Sequence, residues 1–112
     1  MLIAYLRIIE KYLKKNKGNK KLKADVDSLL LTIKNSNWRN PEDIKLSRPD
    51  ADKVHSDGFY FFNISNSRTM ILIEFEEDQA SIVWCGNHKD YEVTFKNNKS
   101  TIRKWLQNRN WI

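Results

Sequence analysis

The sequence predicts an α+β fold: an N-terminal helical hairpin packed on an antiparallel β-meander, with a C-terminal helix. Three observations carry this. Apolar residues recur at helical spacing between Leu2 and Ile33, they alternate or cluster as aromatics between Phe59 and Cys85, and helical spacing returns after Lys99. The chain has 112 residues, 40% of them hydrophobic, which is enough for one modest core. No linker, repeat or low-complexity tract divides it, so residues 1–112 are expected to form a single domain.

Leu2, Tyr5, Leu6, Ile9, Tyr12 and Leu13 share one helical face, with Arg7, Glu10, Lys11 and Lys14 on the other. The first few residues could instead form a short edge strand. Gly18-Asn19 breaks the pattern, which resumes with Leu22, Val26, Leu29, Leu30 and Ile33 and ends near Asn35-Ser36-Asn37. Two helices joined by a short basic turn should pack as an antiparallel hairpin. Pro41, following Asn40, suits the first position of a short helical turn that carries Ile44.

Phe59–Ile64 is aromatic enough to read as strand. After the polar turn Ser65-Asn66-Ser67, Arg68–Glu76 alternates: Ile71, Ile73 and Phe75 on one face, Met70, Leu72, Glu74 and Glu76 on the other. Ala80–Cys85 makes the third strand and stops at Gly86. The last helix, about Lys99 to Asn108, turns Ile102, Trp105 and Leu106 inward. With all helices on one face of the meander, the opposite face and the strand ends are expected to be free for binding.

Charge is uneven. Residues 1–39 carry a net +7, residues 40–78 a net −5 and residues 79–112 a net +4, within a formal total of +6. A basic domain points to a polyanion or an acidic protein as partner, although the Lys11–Lys23 cluster is also what a solvated helix surface looks like. Three glycines make no phosphate loop, and His55 and His88 have no paired metal-ligand spacing, so neither nucleotide nor metal chemistry is expected. The single Cys85 excludes an internal disulfide and fits a reducing compartment; in an apolar strand it reads as core rather than nucleophile. Met1–Tyr12 lacks signal-peptide features and no apolar run approaches the roughly 20 residues of a membrane span. The cytoplasm is the expected location.

The most informative segment is Trp84-Cys85-Gly86-Asn87-His88-Lys89-Asp90-Tyr91. An apolar strand ends and is followed at once by an imidazole, an ammonium, a carboxylate and a phenol. Strands that deliver polar residues into a following loop commonly position functional sites.

Several short segments together resemble a family. Asn37-Trp38-Arg39-Asn40-Pro41-Glu42-Asp43-Ile44-Lys45 is similar to the W-x-N-P-x-D-[IV]-K segment of HigB toxins in the RelE-like superfamily. Ala51-Asp52-Lys53-Val54 resembles their A-D-x-V, Phe62-Asn63-Ile64 their F-N-I, and Asn87-His88-Lys89-Asp90-Tyr91-Glu92 their T-H-x-E-Y-D, with Asn for Thr and the acids exchanged. Thr101-Ile102 resembles a Thr-Ile pair near the end of some members. The resemblance implies a bacterial, ribosome-associated mRNA endonuclease that inhibits translation. It implies as well a helix-turn-helix (HigA-like) antitoxin as partner, with no cofactor.

Metal-free RNA cleavage, in which the 2′-hydroxyl attacks the neighbouring phosphate, needs proton transfer and cations for the phosphorane charge. Imidazoles titrate nearest neutrality, so His88 is the candidate for proton transfer. Tyr91 is placed to orient, protonate or stack, or it is a core residue. Asp90 either holds the imidazole or caps a short helix starting here. Lys89 points away from His88 if the segment is helical. Arg68 opens the second strand and offers a phosphate clamp, or is a turn-flanking surface charge. The family pattern G-N-x-Y-R-[LV] aligns its arginine with Met70, two residues later on the same strand face. Lys45 and Arg48 match the family's basic stretch after N-P-x-D and, with Arg39 and Lys89, are candidates for RNA contact, solvated surface charges being the alternative. Two other readings fit the same residues: an RNA- or ribosome-binding repressor with weakened or no nuclease activity, and a protein-interaction domain that holds an acidic partner.

Overall fold

A computed structural model describes residues 1–112 and shows a three-layer α/β arrangement. The elements, in chain order, are β1 (Leu2–Ala4), α1 (Leu6–Lys15), α2 (Lys20–Lys34), α3 (Pro41–Ser47), β2 (Asp52–His55), β3 (Phe59–Ile64), β4 (Ser67–Glu74), β5 (Gln79–Asn87), α4 (His88–Phe95) and α5 (Lys99–Asn108). The five strands form one sheet in the order β1-β5-β4-β3-β2. No helix is long and apolar enough to cross a membrane.

The central β3-β4-β5 meander is the expected one; of its edges, the N-terminal one is the short strand that the sequence allowed as an alternative, and the other is new. Leu2-Ile3-Ala4 is not helical; it pairs in parallel with Gln79-Ala80-Ser81. Tyr5, at φ 62°, ends this strand in the left-handed region, and α1 begins only at Leu6. On the far edge, β2 pairs antiparallel with β3 and adds a strand that the sequence pattern did not mark. Four residues with one apolar side chain are too short for periodicity to reveal.

Alternation along the sheet builds two cores. Tyr60, Phe62, Ile64, Ile71, Ile73, Ala80 and Ile82 meet Ile9 of α1, Leu22, Val26, Leu29 and Ile33 of α2, and Ile44 of α3. Phe59, Phe61, Met70 and Val83 face the other way and meet Tyr91 and Phe95 of α4 and Ile102 and Leu106 of α5. The face expected to be free is therefore covered by the two C-terminal helices. Burying Met70, Phe61 and Phe95, each with no exposed surface, contributes on the order of 1.5–3 kcal/mol per side chain.

A β-bulge in β5 sets the direction of the side chains that approach α4. Met70 pairs with Trp84 but Ile71 pairs with Ile82, so Val83 is an extra residue. Val83 and Trp84 then both turn toward the α4/α5 layer, while Cys85 returns to the α1/α2 side. The phase of the strand is reset just before Gly86. β5 continues past the expected stop at Gly86 to Asn87 and α4 starts at His88, so no loop intervenes and the short-helix alternative is the one realised.

Candidate functional site

Asn87 makes this abrupt strand-to-helix junction. Its side chain accepts from the Asp90 N–H at 2.8 Å, and the Asp90 carboxylate accepts the Asn87 N–H at 3.4 Å, a reciprocal capping box. Asp90 thus serves as the helix cap rather than as a support for the imidazole. His88 falls on the first turn of α4, exposed, with its ring stacked on Tyr91 at 6.1 Å between centroids. Lys89 is exposed on the same turn.

Arg68 comes from the neighbouring strand, paired with Gly86. Its guanidinium lies over the Tyr91 ring at 4.7 Å and the Phe61 ring at 5.3 Å, and its Nε donates to Asn63 Oδ1 at 3.1 Å. Stacking and one hydrogen bond fix the planar fork while leaving its two terminal nitrogens free to donate. Met70, at the position of the family's arginine, is fully buried in the second core. Of the two positions, only 68 reaches the surface.

Tyr91 is the shared neighbour of both groups. It is 3% exposed, its ring meets Phe61 edge-on at 5.0 Å, and its hydroxyl donates to Asn97 Oδ1 at 2.9 Å. Such a phenol holds His88 and Arg68 in place and has its own proton engaged elsewhere. His88 and Arg68 line one open cleft of about 450 Å³ with Asn63, Ser65, Asn66 and Ser67. No carboxylate faces it. The N-terminus of α4 adds partial positive charge, so amides, hydroxyls, an imidazole and a guanidinium converge on a place suited to a phosphodiester.

A buttress behind the cleft was not visible from sequence. Arg48 pairs with both oxygens of Asp50 at 2.8 Å and donates to the Asn63 carbonyl, and Asp50 accepts the Asn63 N–H at 2.8 Å. Arg48 is thereby committed to holding Asn63, which in turn orients Arg68. Burial pushes the Asp50 carboxyl up, but the Arg48 hydrogen bonds and charge and the Asn63 N–H outweigh it, leaving the pKa below its ordinary 3.8. Because the folded value is the lower one, this carboxylate stabilises the fold fully above the ordinary value, and that contribution is lost as pH falls through the folded value. Thermal unfolding of Asp50→Asn is expected to lose part of the wild-type acid sensitivity in that window. Identical pH dependence in the two proteins would remove Asp50 from this role.

The other sequence candidates lie elsewhere. Arg39 and Lys45 flank or belong to α3, whose Ile44 packs on the opposite sheet face; Lys45 donates to the Pro49 carbonyl at 2.9 Å. The N-P-x-D segment is itself a helix start: Asn40 accepts the Asp43 N–H, and Asp43 accepts the Arg39 N–H. Burial pushes the Cys85 thiol up to about 12, against a smaller lowering by Thr69, so it is no nucleophile near neutrality.

Fold and site together define a small α/β protein with a cationic, imidazole-bearing cleft at a strand-to-helix junction. The chain belongs to the HigB toxin family, RelE-like toxic components of toxin–antitoxin systems, whose family model matches residues 22–94. A toxin of this kind has an antitoxin as its partner. Among curated proteins none matches the chain. The matched span contains His88, Arg68, Tyr91 and the Arg48–Asp50–Asn63 buttress; β1, α1 and α5 lie outside it.

Proposed function

We propose that this toxin is a metal-free endoribonuclease that cuts mRNA in association with the ribosome, in the bacterial cytoplasm, and is neutralised by a helix-turn-helix antitoxin. The observation that carries the reading is the convergence of His88 and Arg68 on one carboxylate-free cleft over Tyr91. In the proposed step the 2′-oxygen bonds to phosphorus as the bond to the 5′-oxygen breaks, leaving a cyclic phosphate and a 5′-hydroxyl. His88 takes the 2′ proton, the departing oxygen takes one from water in the open cleft, and Arg68 neutralises the phosphorane oxygens. Asn63 and Tyr91 position Arg68, and Asp90 holds the turn that carries His88.

A second reading, a repressor that binds RNA or the ribosome without cutting, is favoured by one observation: the Tyr91 hydroxyl is engaged with Asn97, which leaves His88 the only proton-transfer side chain in the cleft. Expression of the chain alone in a bacterium separates the two. Growth arrest with new mRNA 5′ ends, relieved by the cognate antitoxin, supports cleavage. Arrest without new ends transfers support to the repressor, and no arrest at all would sink both readings.

A further inference from the structure

A second cleft, of about 530 Å³, opens between edge strand β2 and the start of α5, lined mainly by Lys53, His55, Ser56, Lys99, Ser100 and Arg103. Val54 of its wall and Ile102 of α5 belong to the same core as Met70 and Tyr91, so this cleft lies on the sheet face that carries His88. No carboxylate lines it, although Asp57 stands 3.9 Å from His55 Nδ1, and Lys53, Lys99 and Arg103 have no ion-pair partner in the protein.

The placement of these cations runs against helix stability. Asn98 caps α5 by accepting the Thr101 N–H, and the first turn holds no acid. The first N–H groups of a helix have no intrahelical partner, and the macrodipole leaves positive charge there that favours acids. This chain instead puts Lys99 at the first position and Arg103 one turn later. His55 adds a donor: its Nδ1 accepts the Asp57 N–H at 3.1 Å, so the proton of the neutral ring sits on Nε2. A bound anion would offset the unfavourable charge and use every one of these donors.

We infer that this cleft is a second phosphate-binding subsite, holding the RNA backbone away from the scissile bond. The inference rests on the RNA-cleaving reading of the His88 cleft. Lys53 pairs with Tyr60, whose ring faces the α1–α3 core, so Lys53 borders the second cleft from the sheet edge, three residues along β3 from Asn63 of the first cleft. The two clefts are therefore offset by roughly 10 Å along the strand and by about 5–10 Å across neighbouring strands, a gap that a few nucleotides of one RNA strand can bridge. An arginine fork, two hydroxyls and open helix N–H groups form a donor set for phosphate, and their alignment with the first cleft favours RNA over an acidic protein.

The test measures binding of a short single-stranded RNA with 2′-O-methyl groups throughout, which blocks the attack, by fluorescence anisotropy over a range of salt. The proteins compared are the full wild-type chain and the Lys99→Ala/Arg103→Ala double variant. Losing two phosphate contacts is expected to flatten the slope of log K against log salt by about 1.4, at ~0.7 per contact, and to weaken low-salt binding by about tenfold or more. The variant should melt at or above the wild-type temperature, since a cation leaves the helix N-terminus, so weaker binding is not misfolding. Unchanged slope and affinity, while the wild type binds, overturns the subsite. It is equally overturned if the variant loses only affinity for the antitoxin. A wild type that fails to bind this RNA overturns the subsite as well, while the reading of the His88 cleft stands or falls separately on growth arrest and new mRNA 5′ ends.

Discussion

Replacing Arg68 by alanine is expected to slow RNA cleavage by about 10²- to 10³-fold, the typical loss when one preorganised donor to a developing oxyanion is removed. The guanidinium is already held between two aromatic rings and Asn63, so its free nitrogens need no reorganisation when charge develops on the phosphorane. Lysine at 68 should restore only part of the rate, because an ammonium supplies charge but not the planar fork. His88→Ala is expected to cost about 10²- to 10⁴-fold through lost proton transfer. Both effects should appear in the single-turnover rate more than in RNA affinity. If growth arrest and cleavage persist unchanged in both variants, neither residue is catalytic. Met70 offers no substitute, since it is sealed inside the second core.

The second large effect is expected from Gly86→Ala, a single methyl group at a residue that touches no substrate. A Cβ there would stand 2.6 Å from Trp84 Cζ2, 2.7 Å from Cη2 and 3.1 Å from Asp90 Cβ. The indole has little room to move, because it packs edge-on against Phe61 at 6.2 Å and Phe95 at 5.0 Å. The strand must bow instead, displacing the Asn87 cap and with it His88. Overpacking of this kind costs about 1–3 kcal/mol, so the melting temperature should fall along with the cleavage rate. Trp84→Phe removes the two clashing ring atoms, and the double variant should recover part of the loss. A Gly86→Ala protein with wild-type melting and activity would show that the junction tolerates the methyl group.

Much of the frame was legible. The helices that carry Ile9 and Leu22–Ile33, the α3 start at Asn40-Pro41, the three meander strands and the Lys99–Asn108 helix all derive from periodicity and capping residues, because each is long enough or marked enough to show its pattern locally. Of the short edge strands, β1 was only an alternative to helix and β2 was not foreseen, since both are defined by their partners β5 and β3 rather than by their own composition. Covering of the second sheet face was hidden: a short helix at Asp90 was one of two readings, and nothing along the chain says which sheet face its buried Tyr91 and Phe95 would meet.

The candidate site divides in the same way. His88 and Arg68 stand out in sequence as ionisable residues at a strand exit and a strand start, and the motif order alone carried the resemblance to HigB toxins. What each residue does was decided by its neighbours. Asp90 became a cap, Tyr91 a buried support and Arg48 part of a buttress. Arg48 and Asn63 are 15 residues apart in the chain, and only packing brings such partners within hydrogen-bond reach. That His88 and Arg68 meet at all depends on the extra residue at Val83, which resets the phase of β5 before Gly86. Sequence by itself determined which side chains were present and which segments were regular. Only the tertiary structure decided which of them share a cleft, because side-chain direction along a strand reverses at every residue and one bulge changes the face.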